Sequence, residues 1–173
     1  MGHRESVDLD FFSPRSTFNL STFLGNVTNP DWHIDIAQEK TVYGRQFDAK
    51  ISFISYPFFK PSCAPIKYGS IRILDIDDIA VMKIIAISQR GKKRDFIDLY
   101  EYIQKRSSLY NVLLKVPVQY SGVTHDFHHL LKTLIYFSDA DDDTMPKMKK
   151  TIVWDTVKKY FVTEVSKLSR KIL

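Results

Sequence analysis

The sequence predicts an α/β (α+β) fold, in which a mixed sheet core is followed by a helical C-terminal half. Apolar and polar residues alternate with the period of a strand in the first part of the chain, most clearly over Ser6–Phe12 and Asp48–Tyr56. From Asp75 onward the apolar residues recur with the period of a helix. We therefore divide the chain into a sheet core, residues 1–72, and a helical lobe packed on it, residues 73–173.

Length and composition limit the classes of protein to which the chain can belong. With 173 residues and 44% apolar content, the chain is long enough for one domain or two closely packed lobes. A single cysteine, Cys63, excludes a disulfide framework and a cysteine-based zinc site. No apolar run is long enough to span a membrane, so we expect no membrane partner and a cytoplasmic location. The net charge of +5 permits an acidic partner such as RNA without requiring one.

The first strand carries two aspartates that are two residues apart. Asp8 and Asp10 are expected on one face of this strand, with Val7, Leu9 and Phe11 facing a core. Two carboxylates on one face repel each other unless a cation lies between them, and Mg²⁺ prefers such oxygen ligands. The alternative is an exposed strand face with two solvated acids.

The rest of the predicted sheet core consists of strands separated by loops. The loop signal Asn29-Pro30 precedes strands predicted at Trp32–Ile36, Lys40–Tyr43 and Asp48–Tyr56. Prolines predict a loop after Tyr56, and a short strand is expected over Ile71–Leu74.

The first strong helix is predicted from Ile76 to about Gln89, with Asp75 as its N-cap and Gly91 after its end. This helix is apolar nearly all round, which is typical of a buried helix. Lys83 lies in its middle, and a lone buried ammonium is costly. Its stem either reaches the surface or points into a polar site.

The second helix is predicted over Lys93–Lys105. Asp95 and Asp98 are three residues apart in its first turns, so they share a face. Acids in a first turn are also ordinary partners of the helix dipole, and that alternative stays open for each of them.

The C-terminal part contains further helices. They are predicted at Leu109–Val116 and Leu130–Phe137, and Ser138–Asp143 is expected to be a solvated turn. The last helix has an apolar stripe with spacings of three and four residues: Trp154, Val157, Phe161, Val165, Leu168 and Ile172.

Four segments in this order resemble segments of the AbiEii/AbiGii-type nucleotidyltransferases, toxins of bacterial toxin–antitoxin and abortive-infection systems. The segments are Gly2–Phe12, Ile51–Phe53, Asp77–Lys83 and Arg90–Tyr100. Tyr136–Ala140 and the helix of Trp154 are similar to the C-terminal part of that family.

The resemblance implies a nucleotidyltransferase-type core with Mg²⁺ at Asp8 and Asp10 and a nucleoside triphosphate as donor. It implies that Lys83 contacts the nucleotide or its phosphates, that Asp95 is an essential polar residue of the same site, and that tRNA or another RNA end is the acceptor. We expect Asp8, Asp10, Lys83 and Asp95 to be catalytic, and Arg4, Ser6, Arg94 and Asp98 to bind substrate.

Two departures from the family pattern bear on activity. The family has a Gly-Gly-Thr turn before the D-x-D strand, where backbone N–H groups cradle the triphosphate; this sequence starts at Met1-Gly2, after that position. The usual core also has a third carboxylate on a neighbouring strand, where Ser52 is aligned here, and Asp48 is nearby but off that position. These departures predict very weak nucleotide transfer or none.

The sequence thus predicts a Mg²⁺-dependent nucleotidyltransferase-like protein that transfers NMP from an NTP to RNA. The alternative is a catalytically inactive remnant that binds RNA or a protein, such as a cognate antitoxin. A metal-dependent nuclease also needs clustered carboxylates, but the lysine-next-to-acid strand pattern of such folds is absent here. Loss of an N-terminal strand would expose a sheet edge, which favours self-association.

Overall fold

The structure of the chain, a computed structural model, describes residues 1–27 and 30–172, with the side chain of Ile172 excepted. Asn29 of the predicted loop, the Ile172 side chain of the predicted stripe, and Leu173 lie outside the described residues. The described chain forms two compact units, which we call the sheet unit, residues 6–59, and the helical unit, residues 1–5 and 60–172. The predicted division at residues 72 and 73 stays a prediction.

The sheet unit contains one helix and a four-stranded mixed sheet with the strand order β1-β4-β3-β2. Strand β1 runs parallel to β4, whereas β3 is antiparallel to both β4 and β2. The elements are β1 (Leu9–Ser13), α1 (Leu20–Asn26), β2 (His33–Gln38), β3 (Thr41–Gln46) and β4 (Ala49–Ser55).

Aromatic side chains form the packed face of the sheet. The rings of Phe11 and Phe53, which are register partners on β1 and β4, stack with centroids 5.0 Å apart. Phe23 of α1 and Trp32 contact the ring of Phe53 edge-on. Glycine at position 44 leaves room for Trp32 to pack against β3, because a Cβ there would lie 2.6 Å from the carbonyl oxygen of His33 and 2.7 Å from the indole of Trp32.

Strand β1 begins later than the alternating pattern predicts. It starts at Leu9, so Val7 and Asp8 precede it. The side chains of Val7 and Leu9 are exposed, and the prediction that both face a core is wrong. The physical reason is that β1 is an edge strand with β4 as its neighbour on one side, so its first residues receive little cover.

The helical unit consists of six helices and a two-stranded hairpin. The fold is therefore α/β, with a mixed four-stranded sheet followed by six helices, as the sequence predicts. The hairpin strands are β5 (Ile66–Tyr68) and β6 (Ile71–Ile73). The helices are α2 (Ile76–Arg90), α3 (Lys93–Lys105), α4 (Leu109–Gln119), α5 (Phe127–Thr133), α6 (Ser138–Asp142) and α7 (Trp154–Ile172).

The core of the helical unit lies where α2, α3, α4 and α7 pack. Phe96 of α3 is fully buried, and its ring contacts the rings of Phe137, Trp154 and Phe161. The predicted apolar stripe of the last helix is confirmed for four buried positions, Val157, Phe161, Val165 and Leu168. This core fixes the faces of α2 and α3 that carry the polar residues described next. Among the described residues, no helix is long and apolar enough to cross a membrane.

Candidate functional site

A network of acids and cations surrounds Asp98 in the helical unit. Its carboxylate accepts hydrogen bonds from Nε and Nη2 of Arg4, at 2.7 and 2.8 Å. Nε2 of His3 lies 2.8 Å from Oδ1, and Nζ of Lys83 lies 2.7 Å from Oδ2. One carboxylate therefore holds a guanidinium and an ammonium side by side.

The second carboxylate of the network is Asp95, which is fully buried. Nζ of Lys83 donates to its Oδ1 at 2.7 Å, and Nε of Arg90 donates to its Oδ2 at 3.0 Å. Lys83 thus bridges both aspartates, with its side chain only 18% exposed. Of the two alternatives left open for Lys83, the structure selects a polar environment rather than a stem that reaches free solvent.

Local sequence explains how these side chains meet. Asp75 caps α2 by accepting from the N–H of Asp77, and Gly91 ends the helix with a left-handed φ of 51°. The short break at Gly91 turns the chain into α3, where Asp95 and Asp98 share a face because they are three residues apart.

The N-terminal segment His3–Glu5 completes the network by pairing with residues 147–149. The N–H of Glu5 donates to the carbonyl of Lys147, and the N–H of Lys149 donates to the carbonyl of His3, both at 2.9 Å. The side chains of Glu5 and Lys147 also form an ion pair at 2.9 Å. These bonds hold Arg4 against α3.

Charged partners lower the pKa of Asp98 in this network. Burial alone would raise the pKa of the Asp98 carboxyl, but the hydrogen bond from Arg4 and the charge of Lys83 hold it well below its ordinary value. Asp98 is therefore ionised at neutral pH. The network brings the cations of Arg4, Lys83 and Arg90 together with the carboxylates of Asp95 and Asp98. Cations of this kind can bind phosphate oxygens.

The sheet unit carries the other predicted residues. Asp10 lies on β1 directly opposite Ser52 of β4, and the Ser52 hydroxyl donates to its carboxylate. Asp8 is half-buried just before β1, and Ser6 is exposed. The prediction that Asp8 and Asp10 share a pocket with Lys83 and Asp95 stays a prediction.

The donor atoms around Asp10 fit a hard cation. Asp10 and Ser52 offer oxygen ligands, and Asp8 is close in sequence. Mg²⁺ commonly takes one or two carboxylates and completes its coordination with water and substrate phosphates. The oxygen atoms of Asp10 and Ser52 therefore fit Mg²⁺, and Asp8 as a second carboxylate ligand stays a prediction.

A further group of ligand-type atoms lies in the helical unit. Atoms of Cys63, Asp75 and Asp77 come within 4.8 Å of one another. The carboxylates there already have partners, because Asp75 caps α2 and Asp77 accepts a hydrogen bond from the hydroxyl of Tyr102. A thiol is also a poor ligand for Mg²⁺, so this group fits that ion less well than Asp8 and Asp10 do.

Sequence reasoning missed some residues of these networks. His3 and Arg90 were not predicted as site residues, although both lie in the segments that carry the resemblance. Asp78, in the first turn of α2, is fully buried and accepts hydrogen bonds from Ser62 and Gln119. Nothing in the local pattern distinguishes it from Asp77. Arg94 lies exposed in the first turn of α3.

Comparison with known proteins agrees with the resemblance. The sequence model of the AbiEii nucleotidyl transferase toxins of type IV toxin–antitoxin systems matches residues 33–167, which include Lys83, Asp95 and Asp98. An uncharacterized protein of Aquifex aeolicus is 32% identical over 172 residues, covering 95% of this chain and 80% of its own length. No solved structure matches. The chain belongs to the AbiEii nucleotidyl transferase toxin family.

Proposed function

We propose that the protein is a Mg²⁺-dependent nucleotidyltransferase that, with Ser52 in place of a third carboxylate, slowly transfers NMP from a nucleoside triphosphate to an RNA end, such as that of tRNA. The observation that carries this proposal is the pair of cations, Arg4 and Lys83, held by the carboxylate of Asp98. Family membership supports the reaction class.

In the proposed reaction, a hydroxyl oxygen of the RNA end forms a bond to the α-phosphorus. The bond from that phosphorus to the oxygen bridging to the β-phosphate breaks, pyrophosphate leaves, and the hydroxyl proton passes to water. Asp8 and Asp10 would hold Mg²⁺, which neutralises phosphate charge when bound. Lys83 would neutralise further charge on the phosphates, while Asp95 keeps its ammonium in place. Arg4 and Ser6 would position phosphate, and Arg94 and Asp98 would contact or orient substrate.

The geometry around Asp10 favours a second candidate, an inactive member of the family that binds RNA or a protein. Ser52 occupies the register position opposite Asp10, where the usual core offers a third carboxylate. The Ser52 hydroxyl donates a hydrogen bond to Asp10 and, unlike a carboxylate, supplies no negative charge to a metal ion. A cognate antitoxin and a second copy of this chain are the protein partners that we propose.

The test measures metal-dependent nucleotide binding before transfer. Saturation at about 100 times the Kd adds about 2.7 kcal/mol of stability, which raises the Tm by roughly 5 to 10 °C. We expect such a rise with Mg²⁺ and at least one of the four triphosphates. It should be abolished by Asp8→Asn, because a ligand charge is lost. The matched control is Asp48→Asn in the turn between β3 and β4, where positive φ suits asparagine.

Transfer is then assayed by following label from each of the four triphosphates to bulk tRNA. Transfer that is lost in Asp8→Asn and Lys83→Met supports the enzyme. Metal-dependent binding without transfer supports the inactive candidate. The absence of a Mg²⁺-dependent shift with all four triphosphates would contradict the proposal.

A further inference from the structure

One row of side chains crosses the sheet unit from its β1 edge to its β2 edge. The strand register pairs Asp10 with Ser52, Ser52 with Tyr43, and Tyr43 with Ile36. Directly paired residues of neighbouring strands project to the same face of a sheet. These four side chains therefore share one face, and it is the face opposite to that of Phe11 and Phe53.

The row changes from polar to apolar along its length. At the β1 end lie the carboxylate of Asp10 and the hydroxyl of Ser52, joined by a hydrogen bond. At the β2 end lie Tyr43 and Ile36, which are 42% and 46% exposed. A nucleotide has the same polarity, with phosphates and metal at one end and an uncharged aromatic base at the other.

The packing of the sheet does not account for the exposed ring of Tyr43. Its neighbours on β3, Val42 and Gly44, are buried on the opposite face, and Phe53 there is surrounded by Phe11, Phe23 and Trp32. Tyr43 thus presents an aromatic ring on the same face of the sheet as the predicted metal ligand, Asp10, without contributing to that core.

A cation flanks the row. Lys50 lies two residues before Ser52 on β4, so it projects to the same face, diagonal to Asp10. Its register partner is Arg45, and two like charges directly opposite each other are unfavourable. Arg45 is paired with Asp35 at 2.9 Å, which leaves Lys50 as a cation suited to phosphate oxygens.

We propose that Tyr43 is the residue on which the base of the bound nucleotide stacks. This inference rests on the proposed function, because it takes Asp10 as the metal ligand. Neighbouring strands are about 4.8 Å apart, so Tyr43 is about 10 Å from Asp10 across two strand spacings. That separation is on the scale of a nucleotide between its phosphates and its base. Every base has a π-face, so stacking binds bases with little sequence preference.

The test compares two ligands that differ in the presence of a base: a Mg²⁺-nucleoside triphosphate and Mg²⁺-tripolyphosphate. Affinities are measured by isothermal titration for the unsubstituted chain, Tyr43→Leu and Tyr43→Phe. We expect Tyr43→Leu to weaken nucleotide binding roughly tenfold, in line with the loss of one stacked base, and to leave tripolyphosphate binding unchanged. Tyr43→Phe keeps the ring and should bind both ligands as the unsubstituted chain does.

Controls separate this inference from the function on which it rests. Tyr68→Leu removes another exposed tyrosine ring, 74% exposed on β5 of the helical unit. It should change the affinity for neither the nucleoside triphosphate nor tripolyphosphate. Thermal unfolding checks that each variant is folded. If Tyr43→Leu binds nucleotide within twofold of the unsubstituted chain, or loses tripolyphosphate equally, the inference is overturned. If tripolyphosphate binding survives Asp10→Asn while the stacking effect persists, the metal assignment fails and Tyr43 keeps its role.

Discussion

Asp98 is the residue that organises the charged network of the helical unit. Its two oxygens together meet His3, Arg4 and Lys83, which come from the N-terminal segment and α2. The sequence allowed two interpretations of Asp98, a site residue or a helix-dipole residue. Proximity in sequence could not decide between them, because Arg4 is 94 residues away from it in the chain.

The lowered pKa of Asp98 predicts how stability depends on pH. A carboxyl whose folded pKa lies below its unfolded value of about 3.9 contributes stability above that value, and this stability is lost as pH falls toward the folded pKa. Asp98→Asn should lower the free energy of unfolding at pH 7 by about 3 kcal/mol, because buried cations lose their counter-charge. The difference in the free energy of unfolding between Asp98→Asn and the unsubstituted chain should become smaller below about pH 4.

Urea unfolding of both chains between pH 7 and pH 3.5 measures this difference. Asp142→Asn, which changes an exposed acid at the end of α6, is the control and should leave the stability difference near zero at every pH. A deficit of Asp98→Asn that stays constant down to pH 3.5 would show that ionisation of Asp98 does not stabilise the fold.

At the scale of elements, local signals determined how well the sequence could be interpreted. The predicted bounds of α3, and those of α2 to within one residue, are confirmed, because Asp75 and Gly91 are strong start and stop signals. The short strand expected over Ile71–Leu74 is confirmed as β6, whereas its partner β5 was missed, since it has three residues and is recognisable mainly by its pairing with β6. Pairing between distant segments leaves no periodic signal in so short a stretch.

The segment Ser138–Asp143 is a second case in which contacts between distant parts of the chain were not predicted. It was predicted to be a solvated turn, and most of it instead forms α6. Asp143 follows this helix and accepts a hydrogen bond from the N–H of Lys93 at 2.9 Å, while its other oxygen lies 3.1 Å from Nζ of Lys92. It therefore caps α3, whose own N-cap residue Lys92 makes no capping bond from its side chain.

Removing this cap should destabilise the helical unit. Asp143→Ala removes the carboxylate that accepts a hydrogen bond from the first N–H of α3. It also removes a negative charge from the N-terminus of this helix. We expect a loss of about 1 to 2 kcal/mol in the free energy of unfolding, measured by urea denaturation at pH 7. Asp142→Ala is the neighbouring control, and an equal effect of the two substitutions would contradict the capping role.

For the molecule as a whole, the sequence was sufficient to predict the order of sheet and helices and the family. It was not sufficient to predict which residues lie next to one another in a site. Alternation and helix caps are local, so the class of fold could be inferred from them. The register that places Ser52 and Tyr43 in one row with Asp10, and the pairing that brings Arg4 to Asp98, arise from long-range packing. Such contacts are specified by the folded chain rather than by any short pattern.

A double-mutant cycle tests the proposed roles of Asp10 and Lys83 in binding nucleotide. If Asp10 and Lys83 both serve the same bound triphosphate, their substitutions should not be additive. In a double-mutant cycle with Asp10→Asn and Lys83→Met, we expect a coupling energy of about 1 kcal/mol or more in the affinity for Mg²⁺-nucleotide, measured by titration up to saturating ligand. Residues without a shared partner usually add to within about 0.5 kcal/mol.

A second cycle provides the control for this measurement. It combines Asp10→Asn with Lys132→Met, which changes an exposed lysine on α5 of the same helical unit, and it should be additive. Both cycles use the full chain and the same triphosphate, so general effects of lost positive charge cancel. If the effects of Asp10→Asn and Lys83→Met on affinity are additive, the two residues do not serve the same bound triphosphate. The proposed role of Lys83 in the transfer reaction would then be contradicted.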